Sequence, residues 1–243
     1  FVVQEPEAGY SDDLRKNAVI GDMMWQNGAP VPEVIEYGYD PQYVAYEKVG
    51  QSSLGQTEDL PEEELKQDFR AAGAALARIH QQRGSGYGEP EAEQDFREGS
   101  HETWRGFVED YIDKSLRTTE GTGFHPVVKS AADKIVIDSI AERPEQGILH
   151  QDPTPDNVRV GDSEAYWIDF DNAIFGDQNF DLVYAETVIS RNEQTRWEEF
   201  MEGYTSVRNP DMNATDRRNY KALSAVEEGI GGAWCMRNGV EAD

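Results

Sequence analysis

Apolar residues recur along this chain in two rhythms. Short apolar or alternating runs dominate roughly the first fifty positions, and stripes at helical spacing dominate most of the rest. Phe1-Val2-Val3-Gln4 reads as part of a strand, and because it opens the chain without a Met, residues upstream are expected. Val31 to Gly38 and Tyr43 to Glu47 read as two further strands joined by an Asp40-Pro41 turn. Between the first strand and these, Asp12 to Trp25 fits a helix started by Ser11, with Leu14, Ala18 and Val19 on one face. Gly50 to Leu60 is polar and reads as a connection. From Pro61 a helix is expected: Pro61 suits a first turn, Glu62, Glu63 and Glu64 suit the positive end of the dipole, and Leu65, Phe69, Ala72, Leu76 and Ile79 form one stripe. Gly84 to Gly88 ends it. Further helical patterns run from about Glu102 to Leu116, Val127 to Ala141, Arg196 to Tyr204 and Asp216 to Glu228.

Composition narrows the function classes. The 243 residues carry 22 Lys and Arg against 48 Asp and Glu, a formal charge of −26. Such a surface has no non-specific electrostatic grip on nucleic acid or on anionic membranes. No apolar run reaches the roughly 20 residues needed to span a bilayer. The single cysteine, Cys235, excludes an internal disulfide framework. A soluble cytoplasmic protein is expected. The acid is spread along the whole chain, and only seven of the 22 bases are Lys. Repulsion on this scale is screened within about 3 Å at molar salt, and haloarchaeal cytoplasmic proteins have this composition. An acidic mesophilic protein with a cationic partner is the alternative.

The chemistry concentrates between residues 148 and 171. Val158-Arg159-Val160 and Ala165-Tyr166-Trp167 are β-prone runs around a Gly161-Asp162 turn, which is a hairpin signal. Folding that hairpin brings Asn157 opposite Ile168 and Asp169. An amide oxygen and a carboxylate at one point suit a hard cation such as Mg²⁺. Asp152 lies five residues before Asn157 in a Pro-stiffened loop, where it can face the pair as a carboxylate that accepts a hydroxyl proton.

His150-x-Asp152-(four residues)-Asn157, followed by Asp169-Phe170-Asp171, is the loop spacing of the kinase fold. The chain resembles the aminoglycoside phosphotransferase and choline-kinase-like family. Leu76-Ala77-Arg78-Ile79-His80 is similar to that family's helix ending in Leu-His. Pro30-Val31-Pro32 is similar to its strand entry, and Gly176-Asp177-Gln178-Asn179-Phe180-Asp181-Leu182 to a family helix start. The resemblance covers nearly the whole chain. It implies a bilobal α+β kinase-like fold, with residues 1–48 as a partial β-rich nucleotide-binding lobe and 49–243 as a mainly helical catalytic lobe. It further implies transfer of phosphate from ATP to a hydroxyl of a small molecule. On this reading Asp152 is the catalytic base, Asn157 and Asp169 hold Mg²⁺, His150 braces the loop, and Tyr46, Glu47 and Lys48 meet adenine. Asp171 is a further candidate for metal or substrate contact.

Two positions depart from the family pattern. The lysine that pairs the ATP phosphates would fall at Gln4, and its glutamate partner near Asn17. Both are neutral amides that can hydrogen-bond each other. This leaves open an alternative, a catalytically silent nucleotide-binding or scaffold protein of the same fold. A metal-dependent hydrolase is disfavoured because no separate water-activating His pair is present. Asp177, Asp181 and His80 read as loop-bracing or structural residues. Trp197 and Trp234 read first as core residues, with an aromatic substrate cage as the other reading. The acidic stretches Glu58 to Glu64 and Glu89 to Glu98 read as solvated faces.

Overall fold

A computed structural model of the chain describes all residues except 6–10, 41, 58–59, 93–95, 162–163, 192–193 and 239–243. The expected turns at Pro41 and Asp162, and the acidic pair Glu58-Asp59, fall outside the described residues.

The N-terminal part is a three-stranded antiparallel sheet made of β1 (Val2–Gln4), β2 (Val34–Tyr39) and β3 (Gln42–Tyr46), with β3 in the middle. Val2 pairs with Tyr46 and Gln4 with Val44. Helix α1 (Ser11–Gln26) joins β1 to β2 and buries two faces. Leu14 and Ala18 cover Val44 of the sheet, while Ile20 and Met24 enter the main core of the chain. This helix therefore ties the sheet to the rest of the molecule. β4 (Ser52–Ser53) then leads, through a short 3₁₀ turn, into α2 (Glu62–Ile79), whose Phe69, Ala72, Leu76 and Ile79 are buried. Leu65 from the expected stripe packs at its edge.

A four-stranded sheet follows. It is built from β5 (Tyr87–Pro90), β6 (Gly99–His101), β7 (Gln146–Leu149) and β10 (Ile174–Asp177) in the order β6-β5-β10-β7. The segment around Gly84 to Gly88 is thus partly strand rather than loop, a correction to the sequence reading. Gly86 at φ +68° and Gly88 at φ +86° adopt backbone that other residues resist, so the strand carries no alternating signal. Between β6 and β7 lie α3 (Trp104–Thr119) and α4 (His125–Ala132). The helix expected to reach Ala141 stops at Ala132. Ile135, Val136 and Ile137 form a β-branched run of low helix propensity, and the Val136 N–H is taken by Asn219 Oδ1 at 3.0 Å.

The expected hairpin is present as β8 (Val158–Gly161) and β9 (Glu164–Trp167), with Val158 opposite Trp167. Three helices close the fold: α5 (Asn179–Ile189), α6 (Gln194–Val207) and α7 (Ala214–Asn238). α6 lies directly on α2 because two glycines permit it. A Cβ on Gly73 would collide with the Phe200 carbonyl, and one on Gly203 with the Arg70 carbonyl. The core beneath the hairpin holds Trp167, whose indole N–H donates to the Ala72 carbonyl at 3.1 Å. Among the described residues no helix is long and apolar enough to cross a membrane.

Candidate active site

The loop between β7 and β8 is fixed from below by one carboxylate. Asp181, 1% exposed in the first turn of α5, accepts the main-chain N–H groups of His150 at 2.6 Å and Gln151 at 3.0 Å. Its Oδ2 also lies 3.1 Å from the ring of His80, whose other nitrogen is 2.9 Å from the Tyr204 hydroxyl. His80 and Asp181 are therefore the structural residues the sequence suggested. Asp177 likewise braces the fold: it accepts from the Tyr220 hydroxyl at 2.6 Å and the Asn179 N–H at 3.0 Å. With both amides satisfied, Gln151 can hold φ +70°, and this kink carries the chain onward to Asp152.

His150 is fully buried against Trp167 and Phe170. Its Nε2 lies 2.8 Å from the Ile168 carbonyl, so it connects the loop between β7 and β8 to the residue before Asp169. Among the described residues bracing comes through this one ring nitrogen, since Nδ1 finds no hydrogen-bond partner there. Asn157 makes the second connection. Its main-chain carbonyl accepts the Ile168 N–H at 3.0 Å. Its Nδ2 donates to the Asp152 carboxylate at 2.7 Å and to the Asp152 carbonyl at 3.0 Å. With the amide nitrogen committed to Asp152, the amide oxygen is the group Asn157 has left for a cation. Burial raises the Asp152 carboxyl above its ordinary value, partly offset by His150 and by the Asn157 hydrogen bond.

Asp169 sits at φ +66°, a left-handed conformation that costs a non-glycine residue about 1–2 kcal/mol. On its far side Phe170 is buried, and Asp171 accepts a 2.6 Å hydrogen bond from Asn17 of α1. Gln4 and Asn17 meet as expected of two amides, at 3.4 Å.

A cavity of about 540 Å³ opens beside Asp169. It is lined by Gln4, Asn17, Tyr46, Glu47, Lys48 and Asp169 among others, with Val2, Val31, Val49, Ile168 and Phe170 as apolar walls. The predicted residues Tyr46, Glu47, Lys48, Gln4 and Asp169 are thus brought to one space. The Glu47 N–H is taken by the Glu33 carbonyl at 2.8 Å and the Gln51 N–H by the Val160 carbonyl at 2.8 Å. Among the described residues, the N–H groups of Lys48, Val49 and Gly50 between them make no main-chain hydrogen bond. The Tyr46 hydroxyl is buried with no partner among the described residues, and burial together with the charges of Asp171 and Asp169 holds its proton firmly.

Sequence reasoning missed Arg159, which also lines the cavity and whose side chain makes no hydrogen bond or ion pair among the described residues. A signal existed: in Val158-Arg159-Val160 the two valines point into the core, so Arg159 shares the opposite face with Asn157. Of the two tryptophans, Trp197 follows its first reading as a core residue: it is 8% exposed and stacks on Phe200, away from the cavity lining. Trp234 is 42% exposed on α7, neither buried core nor part of the cavity lining.

Sequence reasoning also missed Glu227 on α7. The residue is partly accessible, yet its Oε2 is buried and has no donor among the described residues. Burial first, and then the charges of Asp181 and Asp152, push its carboxyl from 4.5 up to about 8. Between those values the folded protein binds more protons than the unfolded chain, so this group makes stability fall as pH rises through that window. Glu227→Gln removes the slope. Its melting temperature is expected to exceed the wild type's by a margin that widens from about pH 5 to about pH 8. A margin independent of pH would contradict the assignment.

The fold has several solved counterparts. An aminoglycoside phosphotransferase, APH(4)-Ia, solved as a thermostable mutant in ternary complex with ADP and hygromycin B, superposes with a TM-score of 0.67 at 20% identity, covering 93% of this chain and 77% of that one. A choline/ethanolamine kinase family protein from Mesorhizobium loti gives 0.64 at 16% identity, covering 99% and 76%. A macrolide 2'-phosphotransferase from Brachybacterium faecium gives 0.61 at 16%, covering 99% and 80%. These likenesses establish the bilobal kinase-like α+β fold. Comparison with curated protein sequences returns no match. The family model described as the phosphotransferase enzyme family matches residues 1–218, and on that match the chain belongs to this family.

Proposed function

We propose that this protein uses ATP and Mg²⁺ to phosphorylate a hydroxyl group of a small molecule. The observation that carries the reading is a connected set, Asp152 bonded to Asn157 and Asn157 to Ile168, that leads to Asp169 in the lining of a cavity where, among the described residues, the N–H groups of Lys48, Val49 and Gly50 make no main-chain hydrogen bond. A structural counterpart bound to both ADP and hygromycin B supports a nucleotide and a small acceptor as the ligand pair.

Asp169 and the Asn157 amide oxygen are the residues that would hold the metal. Among the described residues, no group of three or more His, Cys, Asp or Glu side chains is arranged to hold a metal. A site with so few protein ligands suits Mg²⁺, which keeps waters and takes phosphate oxygens as its remaining ligands. When bound, the cation offsets the charge of the transferring phosphate. Asp152, held by Asn157, orients the acceptor hydroxyl and accepts its proton. The edge from Tyr46, Glu47 and Lys48 through Gly50 meets the nucleobase. Arg159 brings a positive charge to a cavity where Gln4 supplies none. Residues 1–48 serve as the nucleotide-binding lobe, and 49–243 supply the catalytic loops and the acceptor site.

A screen for ADP released from Mg·ATP with aminoglycosides, choline-like alcohols, sugars and homoserine tests the reading. Acceptor-dependent release supports it, and release indifferent to every acceptor counts against it. The neutral Gln4–Asn17 contact favours a second reading, a nucleotide-binding protein without transfer activity. The net charge of −26 supports a halophilic protein. Circular dichroism is expected to show loosening or unfolding below about 1 M KCl, as the screening length grows beyond about 3 Å. A melting temperature indifferent to salt would remove that expectation.

A further inference from the structure

We infer that Asn17 is a positioning residue that locks the Asp169-Phe170-Asp171 loop to helix α1 through an uncharged side chain. The inference rests on the phosphotransferase reading of the site. Asn17 is 3% exposed, and its one amide group addresses three partners. Its Nδ2 donates to Asp171 Oδ1 at 2.6 Å and to Gln4 Oε1 at 3.4 Å, and its Oδ1 accepts the Phe170 N–H at 3.3 Å.

These contacts have a mechanical consequence for Asp169. The residue is held in left-handed backbone, which persists only where its neighbours over-determine it. On the N-terminal side Ile168 is pinned twice, by the Asn157 carbonyl and by the His150 ring. On the C-terminal side Asn17 pins Phe170 through its N–H and Asp171 through its carboxylate. The hairpin therefore sets one end of the metal-binding turn, and α1 sets the other. Asp171 then acts as the anchor of the loop, in place of the metal or substrate contact first considered for it.

An amide suits this chain better than a charged partner would. A hydrogen bond from a neutral donor to a carboxylate gains from the ionised acceptor without burying a second charge. At 2.6 Å and part-buried, with its Asn17 end 3% exposed, it is also screened less by salt than a contact between surface groups.

Exchange of the two side chains tests the inference. Asn17→Asp places two carboxylates face to face and removes the donor. Asn17→Asp combined with Asp171→Asn restores one donor against one acceptor, and position 17 still accepts the Phe170 N–H. Nucleotide binding is followed with ADP as Mg²⁺ is titrated, and melting of all variants is recorded without ligand. Asn17→Asp is expected to raise the Mg²⁺ concentration for half-saturation by about 10–100-fold, the loss of a hydrogen bond to a charged group. The double variant is expected to recover most of that loss, and the melting temperatures are expected to be strongly non-additive. An unchanged half-saturation in Asn17→Asp, or a double variant as impaired as the worse single one, would overturn the inference. If ADP binding by the wild type ignores Mg²⁺, the phosphotransferase reading fails on its own. The ligand-free melts then decide whether Asn17 and Asp171 are coupled, and additive values would overturn the lock.

Discussion

Asp152→Ala is expected to lower kcat by about 10²–10⁴-fold, the usual contribution of a positioned general base. Affinity for Mg·ATP should stay nearly intact, because Asn157 keeps its main-chain tie to Ile168 and its side-chain bond to the Asp152 carbonyl when the Asp152 carboxylate is removed. Asp152→Asn should behave similarly, since it keeps the shape but cannot accept a proton. The pH profile supplies a second check. Burial raises the Asp152 carboxyl, and the base works only when ionised. Activity should therefore rise with pH along an acid limb lying above the ordinary 3.8 of an aspartate, and that limb should vanish in both variants. Asp156→Ala is the control. Asp156 is exposed, and among the described residues its carboxylate receives a long 3.4 Å contact from the Ser53 hydroxyl, so its loss should change turnover by a few-fold at most. Full turnover in the Asp152 variants on a true acceptor would remove this assignment.

Asp169→Asn is expected to weaken Mg²⁺-dependent ATP binding by about two orders of magnitude or more, because it removes the carboxylate aimed at the cation. The substitution is a clean probe of charge. Asparagine tolerates the left-handed backbone that Asp169 adopts, whereas alanine would add strain to the loss. Calorimetric titration of Mg·ATP into both proteins, in high salt, gives the comparison. Equal affinities would take Asp169 out of the metal site.

Much of this site was legible because it is local. Asn157 and Ile168 flank a hairpin, Val158 to Trp167, that closes on itself locally, and a β-prone run on each side of a Gly-Asp turn is enough to predict that meeting. Helices α1 and α2 were legible for the same reason, from capping residues and apolar stripes. What the chain does not announce are contacts that only packing creates. Asn17 and Asp171 are 154 positions apart, and no period or spacing relates them. Glu227 reaches the surroundings of Asp152 only because α7 folds back across the catalytic lobe. The strands β5 and β10 are four residues each and rich in Gly or fully buried, so neither shows the alternation that marks a strand. Trp197 and Trp234 were both read first as core residues; burial bears this out for Trp197 and leaves Trp234 on the surface, where residue type alone gave no warning.

The central claim is that the Asp152, Asn157 and Asp169 constellation transfers phosphate to a small-molecule hydroxyl. Mass spectrometry of acceptor mixtures after incubation with Mg·ATP in molar KCl measures this directly, with wild type and Asp152→Asn run side by side. A phosphorylated acceptor formed by the wild type, and formed about 10²–10⁴-fold more slowly by the variant, is the result predicted. Mg·ATP bound by both proteins with no acceptor modified by either would contradict it, and would make the neutral Gln4–Asn17 pair the mark of a silent nucleotide-binding protein.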